Sequence, residues 1–388
     1  TINAGSFSVS NATLDLLAGD SFNDPWATNN VATGAVLNVN GAVTVAGSVP
    51  SYSGGVVNLN GDLTVGQWVS SYAGGVVNLN NFNLTAGGLS LAEPTSLTRT
   101  SGNYSVGSLS LANGASLDYR DGDSISNRLT LDGGSLSRTR TINAGSFSVS
   151  NATLDLLAGD SFNDPWATNN VATGAVLNVN GAVTVAGSVP SYSGGVVNLN
   201  GDLTVGQWVS SYAGGVVNLN NYNLTAGGLA LYEPTSLTRT GGHYSVGSLY
   251  LSNGASLTYS DGDAITNYLS IDGISSSFAE YEPLSLNSLS ITNGGVLSLH
   301  AFTGSGAISN WGLRLPGDSQ SFLETLITGS RITGSWGPMS VFYDPTSNYT
   351  FVTAISAVPE IDPAGIGSVI ALVSGTLALL ERRRRRSA

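Results

Sequence analysis

The stretch GGVVNLNGDLTVGQWVSSYAGGVVNLN, Gly54 to Asn80, states a motif, leaves it, and returns to it 20 positions later. Within it Val57 and Leu59 are flanked by Asn58 and Asn60, and Leu63 and Val65 by Asp62 and Thr64. Alternation of this kind puts apolar groups on one face of an extended strand and polar groups on the other. Gly, Asn and Ser separate the strands and supply the sharp corners and positive φ angles of turns.

The same step extends outward from this stretch. GAVLNVN begins at Gly34, GGVVNLN at Gly54 and Gly74, PTSLTRT at Pro94 and GASLDYR at Gly114. Less regular steps through GGSLSRT at Gly133 and NATLDLL at Asn151 lead back to GAVLNVN at Gly174. A longer period encloses the short one, because residues 141–221 repeat residues 1–81 without a change. The copies then drift: Phe82 becomes Tyr222, Asn103 becomes His243, Arg120 becomes Ser260 and Arg140 becomes Glu280.

Strands that recur at a constant short period and cannot bury their apolar face alone predict a solenoid, in which each coil stacks on the next. We therefore expect an all-β fold, a right-handed parallel β-helix with coils of about 20 residues. At a stacking distance of ~4.8 Å, some fifteen coils make a rod roughly 70 Å long. Val57 is expected over Leu37 and under Val77, and Leu59 over Val39 and under Leu79. Two outer amide ladders are expected, Asn38–Asn58–Asn78 and Asn40–Asn60–Asn80. The alternative is a β-sandwich or hairpin repeat, with the Asn-Gly pairs at Asn40 and Asn60 as hairpin turns. No helical period is legible before residue 364. The expected divisions are unit one at 1–140, unit two at 141–280, the last coils and a C-terminal cap at 281–357, and a tail at 358–388. The cap carries the aromatic-rich stretch with Trp311, Trp336, Phe342, Tyr343 and Tyr349.

Composition narrows the function. The 388 residues include 50 glycines, no cysteine and no lysine, only 10% are charged, and the net charge is −12. Thiolate chemistry and disulfides are excluded. Five of the 13 basic residues are Arg382, Arg383, Arg384, Arg385 and Arg386 at the extreme C-terminus, so the body is strongly acidic and nucleic acid is a poor partner. Thr1 is not an initiator Met and no apolar leader precedes it, which reads as a processed or shortened start.

Ala364 to Leu380 is uncharged and long enough to predict a transmembrane helix, at the short limit for a bilayer span. Arginines directly after such a span stay on the cytoplasmic side and place the preceding chain outside.

Two resemblances follow. The body resembles the autotransporter-associated β-strand repeats of bacterial β-helical surface proteins. The tail, with Val358, Pro359, Glu360, Ile361, Asp362 and Pro363 ahead of the span 364–380 and the cluster 382–386, resembles the PEP-CTERM sorting signal. Its third motif position departs from that family's pattern, being Ile361 with the proline delayed to Pro363. The resemblance implies an exported protein held in the membrane by its tail and cut by an exosortase-type enzyme, then released or attached to the cell surface or extracellular matrix.

Parallel β-helices also carry polysaccharide lyases and hydrolases, which need carboxylates on adjacent coils. Unit one forms no such cluster: Asp121 and Asp123 meet Arg140 and Ile142 one coil later. In unit two Asp261 and Asp263 are followed 19 positions on by Glu280 and Glu282, and His243 precedes Asp263 by 20. Stacked in register, these five would line one edge and suit a divalent cation such as Ca2+; otherwise they are solvated turn residues. Asp20 and Asp24 in GDSFNDPW are expected to shape a turn with Trp26 packed beneath it. His300 is expected at an exposed strand end. Trp68, Tyr52 and Tyr72, with their copies Trp208, Tyr192 and Tyr212, are either platforms for sugars or corner packing. The expectation is a non-catalytic structural or adhesive surface solenoid with no resident cofactor and extracellular polysaccharide as a partner, the alternative being a polysaccharide-acting enzyme.

Overall fold

The computed structural model describes residues 1–94, 96–234, 236–281, 283–300, 311–335 and 338–354. The chain is an all-β parallel solenoid of the right-handed type, with coils of about 20 residues and about 15 turns. Each coil contributes one short strand to a face such as Val36–Asn40, Val56–Leu59 and Val76–Asn80. The rest of the coil supplies a longer bent strand such as Leu63–Ser71 or Leu84–Leu91, and these join in a 21-stranded sheet running along both units.

Pairing follows the period. Leu37 lies beside Val57 and Val57 beside Val77, while Val39 lies beside Leu59; all are buried. Burial alternates along strands such as Val36–Asn40 and Val56–Leu59, and one continuous core rich in Val, Leu and Ile runs through the coils. The Asn-Gly pairs turn corners between successive strands of one coil and do not close hairpins. Gly41 and Gly61 stack so closely that a Cβ on Gly61 would fall 2.4 Å from the Gly41 backbone, a spacing only glycine permits.

On the outside, Asn58 Nδ2 donates to Asn38 Oδ1 at 3.0 Å and Asn78 Nδ2 to Asn58 Oδ1 at 2.7 Å. Asp15 and Thr98 extend this ladder at its two ends. The second ladder is shorter than expected. Asn60 donates to Asn40 at 3.0 Å, but Asn80 turns inward and donates to the Leu59 carbonyl at 2.8 Å. The cause is one extra residue in that corner, where Leu63 pairs with Leu84, 21 positions on; Asn80 takes φ +54° to absorb it.

Parallel pairing continues through Val296–Leu299 and Ile332–Gly334, and an antiparallel group joins it near the C-terminal end. Trp311–Pro316, Met339–Asp344 and Tyr349–Ala354 pair antiparallel, and the helix Gln320–Thr328 packs on them. The helix corrects the expectation of none before residue 364. It has only nine residues, and its period reduces to Leu323 and Leu326 on the buried side, too short a pattern to stand out among strands.

The motif 358–363, the span 364–380 and Arg382–Arg386 lie outside the described residues. Among the described residues no helix is long and apolar enough to cross a membrane.

Candidate functional site

Charge in this solenoid is mostly spent on its corners. Asp123 accepts from the backbone N–H of Arg120 at 2.6 Å within its own turn and of Tyr104 at 3.0 Å on the preceding coil. Arg99, from the strand just before Tyr104 on that preceding coil, closes on the same carboxylate at 2.6 Å and 2.7 Å. The arrangement recurs. Asp160 accepts from Leu157 and Ile142 N–H and pairs with Arg138; Asp263 accepts from Ser260 and Tyr244 N–H and pairs with Arg239 at 2.7 Å. These three carboxylates are buried, and so are the Arg99 and Arg138 side chains. Full hydrogen bonding on both partners is what makes such burial tolerable. Tyr104 and Tyr244 lie beneath, with the guanidiniums of Arg99 and Arg239 5.0 Å and 5.3 Å from their ring centroids. Burial pushes both phenols well above their usual range.

His243 and Asp263 do meet, Nδ1 to Oδ1 at 3.8 Å, with His243 half exposed. Arg239 already holds that carboxylate. Asp261 stands exposed in the turn before it. Glu280 is a strand residue whose backbone pairs with Tyr259, two positions before Asp261, and Glu282 lies outside the described residues. The spacing of 21 here, where 19 was expected, comes from the turn after Asp272. Gly273, Ile274, Ser275 and Ser276 stand where unit one has only Gly133 and Gly134, with Ser275 at φ +70°. The same shift sets Glu280 in the place of Arg138, which pairs with Tyr119 in unit one. Among the described residues no group of three or more His, Asp or Glu is disposed to hold a metal ion.

General acid chemistry needs a carboxyl held above its ordinary range. Among the described residues, the carboxyls that the surroundings shift are moved the other way. For Asp118 burial raises the value, but bonds from Arg120 and Arg99 outweigh it and the net is a lowering; for Asp20 the backbone N–H of Leu17, then that of Ile2, lowers it. In unit one Arg140 pairs with Asp121 at 2.7 Å on the surface.

Of the aromatic groups, Trp26 is displayed differently from expectation. Asp24 shapes its turn as anticipated, accepting the Trp26 N–H at 2.9 Å, but the Trp26 ring is 87% exposed, as is Trp166 in the copy. Thr13 pairs with Val36 across a 23-residue coil, so the DPW segment is an insertion that juts past the level of its neighbours. Tyr52 and Tyr72 stack with centroids 5.6 Å apart and planes 9° from parallel; Tyr192 and Tyr212 repeat this at 5.8 Å and 6°. Trp68 and Trp208 lie on Gly88 and Gly228, where a Cβ would come within 2.5 Å and 2.4 Å of the indole. His300 is exposed as expected, its ring stacked on Tyr281 at 4.9 Å.

Sequence reasoning missed the three corner arginines. A signal was present: in a chain this poor in cations, Arg99 and Arg239 each precede a corner Asp by 24 positions, and Arg138 precedes one by 22. Comparison with models of protein families, with curated proteins and with solved structures finds no match to this chain.

Proposed function

We propose that this chain is a non-catalytic, exported β-solenoid that does structural or adhesive work at the cell surface or in the extracellular matrix. The observation that supports it best is the repetition of the outer surface. The exposed Trp26 returns as Trp166 and the stacked Tyr52–Tyr72 as Tyr192–Tyr212, one 140-residue unit apart. Seven coils at ~4.8 Å set the copies roughly 34 Å apart. A rigid rod presenting equal groups at a fixed interval is suited to weak, multivalent hold on a repeating polymer such as an extracellular polysaccharide, where linked contacts raise overall avidity. The corner carboxylates, by contrast, are bound to arginines and to backbone N–H groups, which leaves them to hold coils together.

Delivery rests on the tail. Pro359 and Glu360, the uncharged span 364–380 and the arginines 382–386 resemble a PEP-CTERM signal in order and spacing. An exosortase-type enzyme would cut near residues 358–363 and leave the acidic rod outside. Intact-mass measurement of the extracellular protein tests this. The expected product ends before Ala364; an extracellular chain that keeps Arg382–Arg386 would overturn the sorting reading.

A further inference from the structure

Among the differences between the two units, those on one patch of outer surface are chemically uniform. Where unit one has Ala92, Ser110 and Arg128, unit two has Tyr232, Tyr250 and Tyr268. Tyr250 sits between Trp208 and Tyr268, with ring centroids at 5.5 Å and 5.3 Å. Tyr232 meets Tyr212 edge to face at 5.7 Å, extending the Tyr192–Tyr212 stack. Core filling does not account for this, since Tyr250 stays 38% exposed.

Tyr232 and Tyr250 wall a groove of about 450 Å3 that also takes in Asp272, Thr292 and Asn293. Asp272 Oδ1 accepts from Thr292 Oγ1 at 2.6 Å and from Asn293 Nδ2 at 2.8 Å, so the polar side is held in one arrangement. Those two bonds keep the Asp272 carboxyl below its usual range. The end of unit one carries the same polar frame, with Asp132 accepting from Ser150 Oγ at 2.8 Å and Asn151 Nδ2 at 3.2 Å on the next coil, but with Ala92 and Ser110 at the ring positions. Unit two has thus added aromatic faces to a polar frame that both units share.

Rings beside fixed hydroxyl, amide and carboxylate groups complement a sugar, which offers apolar C–H faces and hydroxyls that both donate and accept. Charge narrows the class. The residues that line the groove include one carboxylate, Asp272, and no cation, so an anionic chain finds no counter-charge there, and Oδ1 of that carboxylate is already held by Thr292 and Asn293. We propose that the groove walled by Tyr232 and Tyr250 over Asp272, Thr292 and Asn293 binds an uncharged polysaccharide. The proposal deepens the adhesive reading above and rests on it.

The test is calorimetric titration of the full chain with cellohexaose, maltohexaose, xylohexaose and mannohexaose, and with hexagalacturonate as the charged comparison. At least one neutral hexaose is expected to bind with one equivalent. Tyr232→Ala with Tyr250→Ala should weaken it about tenfold or more, a loss of ~1.4 kcal/mol or above, with an unchanged thermal melt. Ala92→Tyr with Ser110→Tyr in unit one should add a second equivalent. Absence of binding by every neutral hexaose at millimolar concentration, equal affinity in the Tyr→Ala variant, or preference for hexagalacturonate would each overturn the proposal. A chain found outside the cell and shortened at its C-terminus that ignores every sugar removes the groove and leaves the delivery reading standing.

Discussion

Arg138 belongs to unit one by sequence and to unit two by contact. Its guanidinium reaches Asp160 in the first coil of the copy, and both side chains are buried. Removing one partner of such a pair strands a buried charge, at a cost of about 3–5 kcal/mol. Arg138→Met should therefore lower the thermal midpoint markedly. Arg138→Met combined with Asp160→Asn should recover part of the loss, because no charge is then left unpaired; the Asn oxygen keeps one of the two N–H bonds, since Ile142 and Leu157 donate to different oxygens of Asp160. If the double variant melts below the single one, Asp160 gains its stability from something other than Arg138. The alternation of Val57 and Leu59 with Asn58 and Asn60 is readable from residue order alone, since strand geometry imposes it locally. The arginine partners are not, because groups separated by a full coil or more come into contact only after the coils have stacked.

Strands here stabilise one another through their edges and their outer side chains. Asn58 both donates to Asn38 and accepts from Asn78. Asn58→Ala deletes both bonds and should cost about 1–2 kcal/mol, seen as roughly five- to thirtyfold faster amide exchange in Val56–Leu59. Asn58→Thr should cost less, keeping one bond as Thr98 does at the end of the ladder. The unaltered copy at Asn198 is an internal reference, because the substituted peptide differs in mass from its otherwise identical partner. Equal exchange in both peptides would show that the ladder decorates the strand without holding it. The failures of expectation at this scale share one cause. Asn80 leaves its ladder and Glu280 shifts against Asp261 wherever a corner gains residues, and the period alone does not say on which side of a corner an extra residue is taken up.

As a whole molecule the rod is a linear array in which each coil contacts only its neighbours, so stability is close to a sum of nearest-neighbour terms. Because residues 1–81 and 141–221 are identical, deleting residues 82–221 joins Asn81 to Tyr222 and gives every remaining coil the neighbours it has now. Arg138 and Asp160 leave together, and Arg239 keeps Asp263. That chain should melt close to the parent and be shorter by roughly 34 Å in solution scattering. Deleting residues 141–280 removes the same length but takes Asp160 from Arg138, and should melt lower. Equal melting of the two deletions would mean that the junctions, and the buried pair at this one, do not limit stability.

The solenoid, its coil length and the stacking of Leu37, Val57 and Val77 were set by sequence alone, because an apolar face repeated at a constant short period has one economical way to leave water. The duplication was likewise legible in the order of residues. Tertiary structure decided what the charges and rings do: that Asp263 faces Arg239, that Trp26 projects instead of packing, and that Tyr232 and Tyr250 share a groove with Asp272. Those outcomes depend on corners, where one or two added residues redirect side chains that the period treats as equivalent.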